Sequence, residues 1–253
     1  MQHLRSLAFN AAMYAWLVIV GLAYAPWALV SERGARRAIR RYVGDVLAML
    51  PRLTGLRPEV RGTPPTGQVL VAGKHHSFLD VLMAYDALPN GIFIMKSIFR
   101  FAPFWGLYVL KTGFVPVQRG RRSEAIRKML AEVRAGARRR PQLIIYPQGT
   151  RVAPDATRPY KVGTFALYEQ LGQPCVPFAT NVGMFWPKRG LLRRPGTAVV
   201  EFLEPIPPGL DRATFMAVLE ARIEGGSNRL LREAGFPEGR LPPAPPEPAL
   251  PAA

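Results

Sequence analysis

Two of the chain's three histidines stand side by side, and an aspartate follows five residues after the first: Lys74-His75-His76-Ser77-Phe78-Leu79-Asp80. Histidine is the side chain suited to taking and returning a proton near neutral pH. A carboxylate against its other ring nitrogen fixes the tautomer and stabilises the imidazolium that forms. His75 and Asp80 are therefore candidates for a general base and its orienting partner. A structural account stands beside this one. Ser77-x-x-Asp80 also fits a capping box at a helix start, which would occupy both residues without chemistry. A metal is not expected: adjacent histidines rarely point at one ion, and no third ligand is evident.

Two arginines follow short apolar runs. One run is Gly113-Phe-Val-Pro-Val-Gln-Arg119 and the other is Ile144-Ile-Tyr-Pro-Gln-Gly-Thr-Arg151. Guanidinium groups form paired, charge-assisted bonds to phosphate oxygens. Two of them at strand ends, beside a strand-end histidine, could hold a phosphomonoester close to the base. Taken singly, each arginine also reads as a solvated surface charge. A fourth segment, Cys175-Val-Pro-Phe-Ala-Thr-Asn181, reads as a strand bent at Pro177, with its apolar side chains in the sheet core. Ser77, His75 and Asp80 together contain the residue types of a hydrolase, but a serine nucleophile usually sits in a G-x-S-x-G elbow, and the sequence has none.

The elements that must position these residues are short strands alternating with helices. The expected strands are 68–72, 92–95, 114–117, 143–146, 175–180 and 197–202, bounded by Gly, Pro and Asn. The expected helices are 77–88, 123–139, 164–171 and 211–231, the last broken at Gly225-Gly226. Arg138, Arg139 and Arg140 suit the C-terminal end of the second. This alternation argues for the α/β class, a layered sheet covered by helices. Ligands of such sheets sit outside the carboxyl ends of the strands, where His75 falls.

The N-terminal part differs. Residues 7–30 are almost uninterruptedly apolar, with Asn10 the strongly polar exception. About 20 apolar residues in a helix span a bilayer core. The stretch is longer than a typical signal-peptide core, and no small-residue cleavage site comes after it before the charged residues. Tyr14, Trp16, Tyr24 and Trp27 are rings of the kind found at headgroup level. Pro26 is expected to kink or end the helix. Arg33, Arg36, Arg37, Arg40 and Arg41 stand after it, against Arg5 alone before it, so the positive-inside rule places the chain beyond residue 30 in the cytoplasm. Ile39, Val43, Val46, Leu47 and Leu50 then form one apolar stripe. It fits a helix lying on an anionic membrane, and equally a helix packed on a core.

Over its 253 residues the chain is 49% hydrophobic and carries a formal charge of +17. It can bury a sizeable core, and its partners should be anionic: lipid headgroups or phosphorylated substrates. Nucleic acid is disfavoured, since no helix-turn-helix, zinc-finger or aromatic RNP-like pattern occurs. One cysteine, Cys175, rules out a disulfide framework. The expected organisation is a membrane-associating helical motif at 1–51, an α/β domain at 52–235, and a Pro-rich, disordered tail at 236–253.

As a set, KHHSFLD, GFVPVQR, YPQGTR and CVPFA stand in the order and rough spacing of four known blocks. By them residues 50–205 resemble the PlsC-like glycerolipid acyltransferases, the bacterial 1-acyl-sn-glycerol-3-phosphate acyltransferases. The resemblance implies transfer of a fatty acyl group from acyl-CoA or acyl-carrier protein to the free hydroxyl of lysophosphatidic acid. The product would be phosphatidic acid, made at the cytoplasmic face of the inner membrane among membrane lipids. No cofactor beyond the acyl donor and no metal is implied. The family's base maps to His75 and its partner to Asp80. Arg119, Gly149, Thr150 and Arg151 map to the acceptor-phosphate contacts, with Lys96 and Lys161 as weaker matches. Four positions depart from the pattern. Lys74 stands where Asn is usual, Pro116 where Phe is frequent, and Tyr146 and Gln148 where Phe and Glu are usual. Glutamine can hydrogen-bond but cannot serve as a carboxylate base. Another acceptor, a lyso-ornithine lipid or a lysophospholipid, therefore stays open.

Overall fold

The computed structural model describes residues 1–96, 106, 108, 111–112, 114–117, 127, 131 and 141–250. Among the described residues the continuous helices are α1 (Gln2–Val30), α2 (Glu32–Thr54), α3 (Leu79–Ala87), α4 (Gly163–Leu171) and α5 (Arg212–Glu233). The strands among the described residues are β1 (Leu56–Arg61), β2 (Val69–Gly73), β3 (Gly91–Lys96), β4 (Val115–Val117), β5 (Gln142–Ile145), β6 (Cys175–Thr180) and β7 (Gly196–Phe202). They form one sheet in the order β1-β7-β6-β2-β5-β3-β4. β4, β3, β5, β2 and β6 run parallel, so their carboxyl ends share one edge of the sheet. β7 is antiparallel to β6, and β1 is parallel to β7. β2 lies between β5 and β6, with Val71 beside both Ile144 and Val176. The predicted helix at 123–139 lies outside the described residues except at 127 and 131.

Side-chain alternation sends each strand into two cores. Val71 and Ile144 join the apolar cluster under α1, α2 and α3, while Leu70, Ala72, Leu143 and Ile145 join the cluster under α4 and α5. The result is a sheet covered by helices on both faces, as the alternating pattern implies. β1 was not expected. Its residues Arg57, Pro58, Glu59 and Arg61 lack a strand's apolar alternation, and it survives because it is an edge strand, bonded to β7 alone.

α1 and α2 form an antiparallel hairpin. Gln2 Nε2 donates to the Thr54 carbonyl at 2.9 Å, and Trp16 Nε1 to Asp45 Oδ2 at 2.8 Å. The α2 stripe, Ile39, Val43, Val46, Leu47 and Leu50, is buried against α1, α3 and β1. It is therefore a core seam, not a face laid bare to a membrane. Pro26 lies inside α1, which continues to Val30 and ends at Ser31 in extended conformation. Two further expectations need correction. α5 runs unbroken through Gly225-Gly226. A Cβ at Gly226 would come within 2.8 Å of the Ala179 side chain, so glycine there permits close helix-on-sheet packing. The Pro-rich tail is not loose over 241–250. It lies extended along α5, where Asn228 Nδ2 donates to the Pro242 carbonyl at 2.8 Å and Arg222 pairs with Glu247 at 2.7 Å.

Candidate active site

The chain leaves the sheet after Gly73 and enters α3 at Leu79. The intervening turn is organised by Asp80, whose side chain is fully buried. Its Oδ2 accepts from the backbone N–H groups of His76 and Ser77, at 2.8 and 2.7 Å. Ser77 Oγ accepts from the Leu79 N–H at 2.9 Å. That is capping chemistry at a helix start. The other carboxylate oxygen, Oδ1, meets His75 Nδ1 at 2.7 Å. The capping bonds and the His75 contact thus use different oxygens of Asp80, so the one does not exclude the other. With Nδ1 donating its proton to Asp80, Nε2 of the neutral ring carries the lone pair that a base needs. The His75 side chain is 16% exposed.

The ring of His75 stacks on Tyr146, with centroids 4.0 Å apart and planes 21° off parallel. Burial, reinforced by the charge of Asp80, pushes the Tyr146 phenol well above its ordinary range, so it stays neutral. His76 has a different environment. It is fully buried, and neither ring nitrogen has a hydrogen-bond partner among the described residues. Burial first, then the electrostatic influence of Lys74 and His75, hold it well below the usual histidine value.

The second strand end at the site is that of β5. Its turn closes with the Gly149 N–H donating to the Tyr146 carbonyl at 2.9 Å. Gly149 sits at φ +68°, in the left-handed region that glycine enters freely. A Cβ there would also lie 2.4 Å from Lys161 Nζ, so the ammonium of Lys161 rests against this turn. Val152 N–H donates to the His75 carbonyl at 2.8 Å, which ties the β5 turn directly to the histidine. Thr150 and Arg151 are half-buried beside that tie. Arg151 Nη1 donates to the Lys188 carbonyl at 3.2 Å.

The structure therefore brings His75, Asp80, Gly149, Thr150 and Arg151 together at the carboxyl edge of the sheet. Lys96 is the last residue of β3 at that same edge, and its side chain lies outside the described residues, as does Arg119 entirely. Among the described residues no three His, Cys, Asp or Glu side chains converge as a metal site requires. Under the site lies a buried ion pair that sequence reasoning missed. Lys74 Nζ contacts both carboxylate oxygens of Glu224, at 2.7 and 2.5 Å, and Tyr160 Oη donates to the same group at 2.8 Å. The sequence signal was faint: one glutamate in α5, next to Ile223 on its apolar side.

The chain has known relatives in sequence and in fold. The family model described as Acyltransferase matches residues 57–181. The chain is similar to a 1-acyl-sn-glycerol-3-phosphate acyltransferase of Pseudomonas aeruginosa, 27% identical over 152 residues. That match spans 58% of this chain and 58% of the relative, less than two thirds of its length. It is also similar to the 1-acyl-sn-glycerol-3-phosphate acyltransferase alpha of Bos taurus, 28% identical over 89% of this chain and 80% of that one. In structure it is similar to the 1-acyl-sn-glycerophosphate (LPA) acyltransferase PlsC of Thermotoga maritima. The TM-score is 0.74 at 19% identity, over 90% of this chain and 95% of the other, a likeness of fold.

Proposed function

Since the chain belongs to the acyltransferase family, we propose that it acylates 1-acylglycerol-3-phosphate to phosphatidic acid, with an acyl-CoA or acyl-carrier-protein thioester as donor. The observation that carries this reading is the His75–Asp80 pair, bound at 2.7 Å and tied through Val152 to the turn that holds Arg151. In this reading His75 Nε2 takes the proton of the acceptor hydroxyl as its oxygen attacks the thioester carbonyl. An ester C–O bond forms, the C–S bond breaks, and the departing thiolate takes the proton back. Asp80 holds the ring and offsets the charge of the imidazolium. Arg151, with Lys161 against the same turn, favours an acceptor that carries a phosphate.

A lipid acceptor also suits the hairpin. α1 is long and apolar enough to cross a membrane by length and composition. It leaves Leu4, Leu7, Tyr14, Ile19, Leu22 and Leu29 exposed. Its N-terminal end is bound to the catalytic domain, since Gln2 donates to the Arg193 carbonyl at 2.6 Å and Arg193 Nη2 to Asn10 Oδ1 at 2.8 Å. Thr54, which closes α2, lies beside Gln2, whose Nε2 also donates to the Thr54 carbonyl, and the chain passes from there into β1. This supports a hairpin whose uncovered flank dips into one leaflet while both ends stay with the domain.

The test is transfer of a labelled acyl group from acyl-CoA to lysophosphatidic acid in detergent micelles, beside lysophosphatidylcholine and a lyso-ornithine lipid. Phosphatidic acid formed by the wild type and lost in His75→Ala supports the reading. Preferential acylation of another lysolipid would move the acceptor assignment, and full activity in folded His75→Ala would refute the base.

A further inference from the structure

Two of the positions that depart from the resembled pattern, Lys74 and Gln148, meet at one carboxylate that belongs to neither motif. Glu224, on α5, holds Lys74 with both oxygens, and the two side chains are 2% and 6% exposed. Gln148 is buried as well, and its Nε2 approaches Glu224 Oε1 at 3.5 Å. Tyr160 Oη donates to that oxygen at 2.8 Å, and the next residue, Lys161, donates its backbone N–H to the Pro147 carbonyl at 3.0 Å. Glu224 therefore reaches the β5 turn twice, directly at Gln148 and indirectly through 160–161. It also anchors Lys74, whose neighbour in the chain is His75.

We propose that Glu224 is a positioning residue that holds the 147–151 turn and the His75 strand end in register. The charges account for the amide at 148 and the lysine at 74. A glutamate at 148 would set a second carboxylate about where the Gln148 amide lies, 3.5 Å from Glu224, with Lys74 shared between two like charges. The amide at 148 removes that repulsion, and the lysine at 74 neutralises the one carboxylate that remains. Glu224 touches no reacting atom. It acts through Lys74, Gln148 and Tyr160.

The test compares the full-length protein in detergent micelles with two variants. Lys74→Asn/Glu224→Gln removes the ion pair without leaving a lone buried charge. Gln148→Glu/Glu224→Gln keeps Lys74 and moves its carboxylate partner to the turn itself. The structural readout is amide hydrogen exchange over 147–151 and 74–77. The first variant should exchange about tenfold faster in both segments, and the second should keep near wild-type protection. Wild-type protection in the first variant, or its loss to the same degree in the second, overturns the proposal. The kinetic readout rests on the acyltransferase reading. In the first variant the KM for lysophosphatidic acid should rise about tenfold while that for the donor stays within about twofold, with near wild-type values in the second. An equal rise for both substrates overturns the proposal. A wild type that does not acylate lysophosphatidic acid counts against the functional reading alone, and the exchange measurement then still decides the role of Glu224.

Discussion

Replacing Asp80 by Asn keeps its size and removes its charge, and the surroundings dictate how the amide must sit. Two backbone N–H groups, of His76 and Ser77, point at Oδ2 from 2.8 and 2.7 Å. The amide oxygen must answer them, because its NH₂ cannot. That turns the NH₂ toward His75 Nδ1, where the carboxylate oxygen now lies at 2.7 Å. Two N–H groups cannot face each other, so the imidazole proton moves to Nε2 and the lone pair that would accept the substrate proton is gone. On the proposed mechanism, the ion pair that would form in the transition state is lost as well. For charge centres about 4 Å apart at an effective dielectric of about 20, that interaction is worth about 4 kcal/mol, or about 10³ in rate. The expected loss in kcat is therefore about 10³-fold or more. The fold should hold, because the helix start keeps its acceptor. Initial rates of acyl transfer at saturating substrates, with thermal melting run beside them, give the answer. A folded Asp80→Asn protein that keeps more than about a tenth of wild-type kcat would refute the tautomer argument.

His76 gives a pH prediction. Its folded-state pKa is depressed by burial, while in the unfolded chain it protonates below about 6.5. The unfolded state then binds the extra proton, so stability falls as pH drops below that value and is insensitive to this group above it. Melting temperature between pH 7.5 and 5.5 should fall less steeply in His76→Leu than in the wild type, and equal slopes would exclude His76 as the source. The exposed side of α1 can be tested without deleting the helix. Ile19→Glu/Leu22→Glu should keep the melting temperature and lose most co-sedimentation with anionic vesicles, whereas undiminished sedimentation would move the anchor to the basic surface.

What could be read from the chain before its fold divides by sequence distance. His75 and Asp80 were legible because one turn and the start of one helix hold the whole pair, so spacing alone bears on geometry. Arg151 was read from the strand and turn that carry it, and Gly149 and Thr150 only from the resemblance; the structure sets all three in one tight turn, which is a local event. The α2 stripe was half legible. Its period told of an apolar face, but a period does not say what covers that face, and the cover proved to be α1, α3 and β1 rather than lipid. β1 was hidden because an edge strand can carry the Arg57-Pro58-Glu59 run that a central strand would reject. Gly225-Gly226 misled because glycine in a helix reads as a break until the sheet it must approach is known.

Glu224 is the extreme case. It lies 150 residues from Lys74 and 76 from Gln148, and no local pattern joins them. Read along the chain, Lys74 and Gln148 are two separate departures that weaken the resemblance at two blocks. Brought together in the fold, they become one arrangement: a carboxylate on α5, a lysine that neutralises it, and an amide that tolerates it. A buried lysine without that carboxylate would be costly, and a glutamate at 148 would compete with it. Each departure makes the other acceptable, so both bear on how the β5 turn is held rather than on whether His75 can act as the base.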